Sequence, residues 1–300
     1  MSKVSPITAI NGVLHATLSP LDRGLAYGDG LFETCRVLDG QVPLWRWHHE
    51  RLLHGCRRLG IAVNEAELLA QRDLMLRVAG EQESGQSPAQ EKAQGVLKVI
   101  VTRGAGGRGL ERPESAEPTL CWLFYPGKNP LWESGAREGI SARVCEHRLA
   151  DNPNLAGLKH LNRLDYVLAR AEWDDEYQEG LLLDARDHLV EGTISNVFGV
   201  LEGQLVTPAL GCNGVVGVMR RLLLEKLAPA SGLTVHERAM SLPELKKAEE
   251  VFVCNSVFGI WPIVQLAPEG VAYSPGPVTR RLQKEWTQWL NARLIQGGVE

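Results

Sequence analysis

The sequence predicts an α+β fold with two lobes and mostly antiparallel sheets. Strand patterns bounded by tight turns occur in both halves of the chain, helical patterns stand among them, and there is no internal repeat. The 300 residues also reach the size at which one hydrophobic core stops growing, roughly 250–300 residues. We therefore predict an N-terminal α/β lobe over residues 1–124, a linker over 125–131, and a larger C-terminal lobe over 132–300.

The N-terminal lobe begins with strands. The Asn-Gly pair at 11–12 is a strong hairpin signal, and the Asp-Gly pair at 39–40 marks a second turn. Apolar residues at helical spacing predict one helix over 45–59, stopped by a glycine, and another over 65–78. The polar stretch 80–95 predicts a loop, which is followed by the strands "VLKVIVTRG" and "TLCWLFYP".

The C-terminal lobe has a different order of elements. "GISARVCEHRL" predicts a strand, and the segment "NPNLAGLKHLNRLDY" leads into a helix. That helix has an apolar stripe made of Leu161, Leu164, Leu168 and Ala171. "EGLLLDARDHLVEGTISNVFGVLEGQLVTP" predicts a meander of short strands, and "GVVGVMRRLLLEKLA" predicts a helix. "EEVFVCNSVFGIWPIV" gives the last strands, before an amphipathic helix over 276–296.

Composition narrows the class of protein. A net charge of −4 and a pI near 6.1 argue against a broad surface for nucleic acid or anionic membranes. The longest apolar stretch, 251–264, is too short to span a bilayer, and the N-terminus lacks an apolar run of signal-peptide length. The 6 cysteines form no CxxC pair and no zinc spacing. We therefore expect a cytoplasmic protein with reduced thiols and no metal.

Two lysines are candidates for Schiff-base chemistry. Long charged side chains usually lie in water, so Lys159 taken alone fits a solvated residue at a strand-to-helix junction. A Schiff-base lysine needs a lowered pKa, which burial and nearby cations supply. The flanking leucines, His160 and Arg163 could provide both. Lys98 in "VLKVIV" has apolar neighbours too, and the residues themselves do not separate the two lysines.

Four further features could bind a compound that has a nitrogen-containing ring and a phosphate group. Glu191 is either a turn carboxylate or an anion held against a ring nitrogen. The helix start at 217–219 offers backbone N–H groups and a helix dipole to a phosphate. Ser256 could add a hydroxyl, and Arg51 a charged bidentate donor. Each of them also fits an ordinary structural role.

The run "TRGAGGRGL" looks like a phosphate loop at first sight. It lacks the GK[ST] ending of such a loop, and its glycines do not match the G-x-G-x-x-G register. A flexible loop that brings Arg103 and Arg108 to a carboxylate fits the run better, and a plain surface loop is the alternative.

The order of these motifs is more specific than any one of them. "HHERL", "GLKHLNRLDYVLARAEW", "EGLLLD", "VEGTISNVF", "GVVGVMR" and "VFVCNSVFGIWPI" occur together, and this set resembles the class IV (fold type IV) pyridoxal-phosphate enzymes over nearly the whole chain. The group includes branched-chain aminotransferases, D-amino-acid aminotransferase and aminodeoxychorismate lyase. The resemblance implies a two-domain fold like that of D-amino-acid aminotransferase, with a barrel-like sheet in the larger lobe. It also implies pyridoxal 5′-phosphate as cofactor and a homodimer.

The resemblance also implies roles for single residues in holding the cofactor. Lys159 matches the lysine that holds the cofactor covalently and moves the proton, and Glu191 matches the carboxylate at the pyridine nitrogen. The residues that bind the phosphate of the cofactor in the family are matched by Arg51, the backbone amides of Val218 and Met219, and Ser256. Asn162 matches the asparagine that supports the site near the ring.

Other matched residues are expected to contact the substrate. Tyr27 matches an active-site tyrosine, and Thr34 falls in the segment that faces the substrate, where it is a candidate proton donor. Arg108 lies where D-amino-acid aminotransferase uses an arginine for the substrate carboxylate. Arg163 stands where the aminotransferases carry a tyrosine, so we also assign it to the substrate.

Within the family, "KVIVTRGAGGRG" and "NPNLAGLKHLNRL" are most similar to aminodeoxychorismate lyase. The resemblance therefore implies a lyase that converts 4-amino-4-deoxychorismate to 4-aminobenzoate and pyruvate in folate biosynthesis. Its partners would be this small molecule and a second copy of the chain, with no nucleic acid and no membrane. The alternatives are a D-amino-acid or branched-chain aminotransferase of the same fold, and a non-catalytic anion-binding protein.

Overall fold

The computed structural model describes residues 5–84, 93–113 and 115–295, and the chain divides into two compact units. The first unit contains the described residues up to Lys128 together with 159–162 and 292–295. The second unit contains Asn129–Leu158 and Arg163–Asn291. A short segment inside the predicted C-terminal lobe thus belongs to the first unit. The lobe and linker boundaries given above stay a prediction.

The first unit is built on a five-stranded antiparallel sheet with the strand order β2-β1-β5-β4-β3. Its strands are β1 (Ile7–Ile10), β2 (Val13–Leu14), β3 (Gly30–Val37), β4 (Gly95–Thr102) and β5 (Thr119–Pro126). The predicted Asn-Gly hairpin is present between β1 and β2, where Asn11 and Gly12 both have positive φ. This pair suits the twist of two antiparallel strands.

Among the described residues, the helices that lie wholly in this unit are α1 (Arg23–Tyr27), α2 (Trp45–Leu59) and α3 (Glu65–Ser84). Helix α2 has the predicted bounds and ends at Gly60, whose φ of +66° suits a residue without a side chain. Helix α3 is longer than predicted, because the apolar spacing fades before the helix does. The rest of the predicted 80–95 loop includes residues 85–92, which lie outside the described residues.

The two faces of the first sheet differ in burial. Alternate residues of β3 are buried on the side that packs against α2. The buried residues of β3 on this side include Leu31, Glu33, Cys35 and Val37. The opposite face is half-exposed and carries Phe32 and Thr34 on β3 and Lys98 on β4. This alternation with period two decides which side chains of the unit can meet a ligand.

The second unit is built on a nine-stranded mixed, curled sheet with the order β11-β10-β9-β12-β13-β6-β7-β8, with β14 paired to β13. Its strands are β6 (Ile140–Leu149), β7 (Glu179–Asp184), β8 (Leu189–Gly192), β9 (Asn196–Leu201), β10 (Gln204–Thr207), β11 (Val235–Glu237), β12 (Glu250–Asn255), β13 (Gly259–Ala267) and β14 (Val271–Ala272). Strands β6–β7, β6–β13 and β10–β11 pair in parallel. These parallel pairs join strands far apart in sequence or separated by helices, so local patterns could not predict them.

Further helices start in the second unit. They are α4 (Leu131–Glu138), α5 (Leu164–Arg170), α6 (Val218–Leu222), which continues through a π-helical turn (Leu223–Leu227) into α7 (Ala228–Ala230), α8 (Leu242–Lys246) and α9 (Pro277–Ile295). The predicted stripe of α5 is not its buried face, because Leu164 and Leu168 are 69% and 50% exposed while Ala169 is buried. Among the described helices, none has the length and apolar character needed to cross a bilayer.

Candidate active site

Glu191 lies near the end of β8 and is 3% exposed. The Tyr166 hydroxyl donates to its Oε1 at 2.5 Å, and the Asn196 amide donates to its Oε2 at 3.1 Å. The backbone N–H of Val215 reaches both carboxylate oxygens, at 3.1 and 3.0 Å. Hydrogen bonds of this kind favour the charged form of a carboxylate and also fix its orientation. A buried, oriented anion of this sort suits the nitrogen of a protonated pyridine ring.

Tyr166 on α5 contacts both Glu191 and Arg163. Arg163 is the residue predicted to distinguish a lyase from an aminotransferase. The Arg163 guanidinium lies 4.7 Å from the centre of the Tyr166 ring, and its Nη2 donates to the backbone oxygen of Leu158 at 2.8 Å. Burial, followed by the charge of Glu191, raises the pKa of Tyr166 well above its usual range. The phenol therefore keeps its proton at physiological pH and acts as a donor to Glu191.

Asn196 connects Glu191 to the predicted phosphate site. Its Nδ2 also donates to the backbone oxygen of Val215 at 2.9 Å. Gly217, the N-cap of α6, packs so closely on Asn196 that a Cβ there would lie 1.9 Å from Oδ1. The N–H groups of a first helical turn have no intrahelical acceptor and bind anions readily. Val218 and Met219 occupy this turn and are buried, so their amides can hold a phosphate.

Ser256 follows directly after β12 in a turn built by its neighbour. The Asn255 side-chain oxygen accepts from the backbone N–H groups of Val257 and Phe258, both at 2.9 Å. Its amide nitrogen donates to the backbone oxygen of Ile194 at 3.1 Å. Ser256 itself is half-buried, so its hydroxyl sits on a backbone that Asn255 holds in place.

Lys159 belongs to the first unit, in a segment that runs beside β3. The backbone N–H of Phe32 donates to the oxygen of Lys159 at 2.9 Å, and the next bond joins Leu161 to Gly30 at 3.0 Å. The Lys159 ammonium lies 4.3 Å from the centre of the Phe32 ring, and the residue is half-buried. Asn162, at the end of the segment, donates from its side chain to a backbone oxygen of the first unit at 3.1 Å.

Arg51 on α2 is held by a buried carboxylate, which the sequence did not predict. Its Nε and Nη2 donate to the two oxygens of Glu33 at 2.8 and 2.5 Å, and His48 Nδ1 lies 2.7 Å from Glu33 Oε2. Glu33 and His48 are each 1% exposed. Burial acts to raise the pKa of Glu33, but the Arg51 charge and the bonds from both partners lower it to about 2. Burial lowers the pKa of His48, so a neutral imidazole donates Nδ1–H to the carboxylate.

The remaining predicted residues of the first unit lie on exposed or half-exposed positions. Tyr27 ends α1, and the Arg23 guanidinium lies 4.8 Å from the centre of its ring. Arg108 is exposed in the glycine-rich loop. Arg23 also anchors that loop, because its Nη1 donates to the backbone oxygens of Gly109 and Glu111 at 3.1 Å each. A single buried arginine thus holds the segments that carry Tyr27 and Arg108.

A comparison with known proteins places the chain. The sequence model of the class IV amino-transferase family matches residues 30–266. The chain belongs to this family. Its fold agrees with that of 4-amino-4-deoxychorismate lyase from Pseudomonas aeruginosa with a TM-score of 0.84, at 43% identity over 94% of this chain and 98% of that one. The predicted fold type IV structure is therefore confirmed.

Two curated relatives represent different activities within the family. Aminodeoxychorismate lyase from Vibrio harveyi is 34% identical over 279 residues, which cover 91% of this chain and 97% of the relative. D-alanine aminotransferase from Staphylococcus aureus is 26% identical over 287 residues, which cover 94% and 95%. The class IV family is thus shown, and these two lyases are more similar to this chain than that aminotransferase.

The class IV motifs predicted one by one fall into two groups. The first unit carries Tyr27, Thr34, Arg51, Arg108, Lys159 and Asn162; the second carries Arg163, Glu191, Val218, Met219 and Ser256. In the second unit Asn196 joins Glu191 to the helix start, and Tyr166 joins it to Arg163. The roles of these residues stay predictions.

Sequence reasoning missed four residues of these groups: Tyr166, Asn196, Glu33 and His48. Three of them carried a signal that could have been used. Tyr166 stands three residues after Arg163, which is one helical turn, and Asn196 follows Glu191 across a short turn. Glu33 is the one charged residue among alternating apolar positions of β3. A charge on the buried face of a strand requires a buried partner.

Proposed function

We propose that the chain is a pyridoxal-phosphate-dependent lyase that converts 4-amino-4-deoxychorismate to 4-aminobenzoate and pyruvate, a step of folate biosynthesis. The observation that carries this proposal is its 43% identity, over nearly the whole length, to the lyase from P. aeruginosa. Arg163, at the position where the aminotransferases carry a tyrosine, supports the same choice.

The class IV family binds pyridoxal phosphate, and the residues present fit that group. Lys159 would bind it covalently, and Glu191 would face its ring nitrogen. Its phosphate would meet Arg51, the amides of Val218 and Met219, and the Ser256 hydroxyl. The fit rests on a buried carboxylate fixed by neutral donors and on a helix start where Gly217 leaves no room for a Cβ. When bound, the cofactor supplies an electron sink for a carbanion.

Lys159 performs the proton transfers in this proposal. Its amine removes the proton from the ring carbon that bears the substrate amine, and Glu191 keeps a proton on the cofactor nitrogen. The enolpyruvyl oxygen then leaves with a proton from Lys159 or from Thr34, and the enol becomes pyruvate. The six-membered ring that remains is aromatic, which makes the step strongly downhill. Such acid–base steps contribute typically ~10²–10⁴-fold to a rate.

The substrate has two carboxylates, and arginine side chains are suited to bind such groups. We assign Arg108 and Arg163 to substrate binding, with Tyr27 beside the substrate and Asn162 supporting the site. Arg163 lies against Tyr166, so a bound substrate carboxylate would be coupled to the Glu191 cluster through that ring.

We also propose a homodimer. Helix α5 exposes Leu164, Val167 and Leu168 at 69%, 60% and 50%, and this spacing forms one face of a helix. Contiguous exposed apolar surface of this kind usually marks an interaction site. Sedimentation of the purified protein tests the assembly, and a monomer at micromolar concentration would contradict it.

The decisive experiment measures two products side by side. The protein is loaded with pyridoxal phosphate, and pyruvate release from 4-amino-4-deoxychorismate is followed with lactate dehydrogenase, without any keto acid. In parallel, D-alanine and L-leucine are offered with 2-oxoglutarate. We expect pyruvate in the first assay and little glutamate in the second. Glutamate in the second assay, without pyruvate in the first, would favour an aminotransferase. A colourless protein that binds no cofactor would favour an anion-binding protein.

The cofactor lysine is tested by borohydride reduction and peptide mass spectrometry. We expect the reduced cofactor on Lys159, and we expect Lys159→Ala to lose ~10³-fold or more in pyruvate release, because it removes the proton carrier. Lys128→Ala, at an exposed lysine of the same unit, is the matched control. A reduced cofactor on another lysine in the Lys159→Ala variant would refute the assignment.

A further inference from the structure

A second lysine contacts the same aromatic ring as Lys159. Lys98 on β4 lies opposite Thr34 in the antiparallel register with β3, and its ammonium is 5.1 Å from the centre of the Phe32 ring. The Lys159 ammonium is 4.3 Å from that ring centre. All four residues belong to the first unit. One phenyl ring therefore brings two cations together on the half-exposed face of the sheet.

The surroundings of Lys98 do not balance its charge. Lys98 is half-buried, and desolvation alone lowers its pKa. Within the part of the chain that the structure describes, no carboxylate comes within ion-pair distance of its ammonium. A half-buried cation is costly without an anion. An aromatic face returns only part of this cost. The site thus favours an anionic ligand beside Phe32.

We propose that Lys98 binds the ring carboxylate of the substrate, an inference that rests on the proposed function. The substrate carries its amine and this carboxylate at opposite ends of a six-membered ring. The two ammonium groups lie 5.1 and 4.3 Å from one ring centre, and these distances allow a separation of the same order. With the amine end directed to Lys159, the carboxylate end reaches Lys98, and Phe32 packs on the substrate ring. Arg108, in the same unit, then serves the enolpyruvyl carboxylate.

Lys98 would also select the substrate class. An ordinary amino acid has no carboxylate across a ring from its amine, so it cannot use this cation. A lysine at this position therefore favours aromatic or cyclohexadienyl amino acids over the substrates of aminotransferases. Discrimination that uses a buried charged group can be large, because the wrong ligand leaves the charge without a partner.

Binding of a matched pair of ligands tests this role. The cofactor-loaded enzyme is titrated calorimetrically with 4-aminobenzoate and with 4-aminobenzamide, which has the same shape and lacks the charge. We expect Lys98→Met to weaken binding of the benzoate ~10–100-fold, as for loss of a charge-assisted hydrogen bond, and to leave the benzamide unchanged. Lys98→Arg should restore most of the benzoate affinity. Lys128→Met, at an exposed lysine, should match the wild type.

Steady-state kinetics gives a second readout. In Lys98→Met, KM for 4-amino-4-deoxychorismate should rise by a similar factor while kcat changes less than about threefold, since the lost contact serves binding. Lys98→Gln is measured as well, with circular dichroism on both variants, in case methionine disturbs the strand. Equal loss for benzoate and benzamide, or no loss for either, would overturn the role of Lys98.

The two proposals fail in different ways. If the wild type releases no pyruvate, the lyase function fails, and the benzoate–benzamide comparison still decides whether Lys98 recognises a carboxylate. If the wild type releases pyruvate and both Lys98 variants keep its KM, the function stands and the inference about Lys98 is wrong.

Discussion

Two buried carboxylates, one in each unit, accept hydrogen bonds from different kinds of donor. Glu33 is bonded by Arg51, a cation, and by His48, and its pKa is lowered to about 2. Glu191 accepts hydrogen bonds from neutral groups of Tyr166, Asn196 and Val215. The ion pair with Arg51 balances the charge of Glu33 inside the protein. The neutral donors to Glu191 fix the orientation of its carboxylate. The first cluster is therefore suited to orient a cation, and the second to present an anion.

A third buried carboxylate shows that neutral donors also serve structure. Glu179 accepts from the backbone N–H and hydroxyl of Thr193 at 2.9 and 2.6 Å, and from the Ser195 hydroxyl at 2.6 Å. Burial raises its pKa. These bonds tie down the turn between Glu191 and Asn196, which places both side chains. Glu179 is thus a structural counterpart to Glu191 within the same unit.

The largest expected effect is on activity, from Glu191→Gln. The variant keeps the shape of the side chain but removes the charge that holds a proton on the ring nitrogen. We expect kcat for pyruvate release to fall about 10²–10⁴-fold, the range of a catalytic proton-handling group, with the cofactor still bound. Full activity in this variant would remove Glu191 from the mechanism.

Glu133→Gln is the matched control for this variant, because Glu133 is exposed on α4. It should behave as the wild type. Glu179→Gln provides the second comparison, and there we expect a loss of stability that exceeds any loss of cofactor chemistry. If Glu179→Gln lost as much activity as Glu191→Gln at unchanged stability, the contrast between the two carboxylates would be wrong.

The next effect is on stability, from Glu33→Gln. Removing one partner of a buried ion pair leaves the other charge uncompensated, which costs about 3–5 kcal/mol. We expect the free energy of unfolding at pH 7, measured with urea, to fall by about that amount. Affinity for the cofactor should fall too, because Arg51 loses the group that orients it. A loss below about 1 kcal/mol would show that Glu33 is not needed to hold Arg51.

Sequence patterns predicted the local parts of this molecule and missed the long-range ones. The bounds of α2 and the Asn-Gly hairpin follow from spacing and turn chemistry within a few residues. The parallel pairing of β6 with β13 depends on contacts more than a hundred residues apart, which local patterns do not record. The same limit applies to Glu33 and Arg51, since their pairing needs both the β3 alternation and the face of α2. The roles of Lys159 and Glu191 were predicted from family motifs and stay predictions, whereas the contacts of Tyr166 and Asn196 with Glu191 required the fold.

A pH titration separates the Glu33 ion pair from other sources of stability. The pKa of Glu33 is about 2 in the folded state against a usual 4.5, so its contribution is present above about pH 4.5 and is lost as pH falls toward 2. The shift corresponds to about 3 kcal/mol. We expect the difference in unfolding free energy between wild type and Glu33→Gln to shrink over this window.

Glu179 should change stability with pH in the direction opposite to Glu33 in the same titration. Its pKa is raised by burial, so its contribution is present at low pH and declines as pH rises through its folded value. The difference between wild type and Glu179→Gln should therefore grow on acidification, when the carboxyl keeps its proton. Parallel curves for the two variants would contradict the assignment of opposite environments.

The smallest expected effect sharpens the role of the donors to Glu191. Tyr166→Phe removes one of them and leaves Asn196 and Val215, as well as the aromatic ring under Arg163. One lost hydrogen bond costs about 0.5–1.5 kcal/mol, so we expect a small loss of stability and a decrease in kcat of roughly three- to tenfold. Tyr177→Phe, at a half-buried tyrosine of the same unit, is the control. If Tyr166→Phe lost as much activity as Glu191→Gln, the phenol would itself handle a proton, because geometry alone cannot account for a loss of that size while two donors remain.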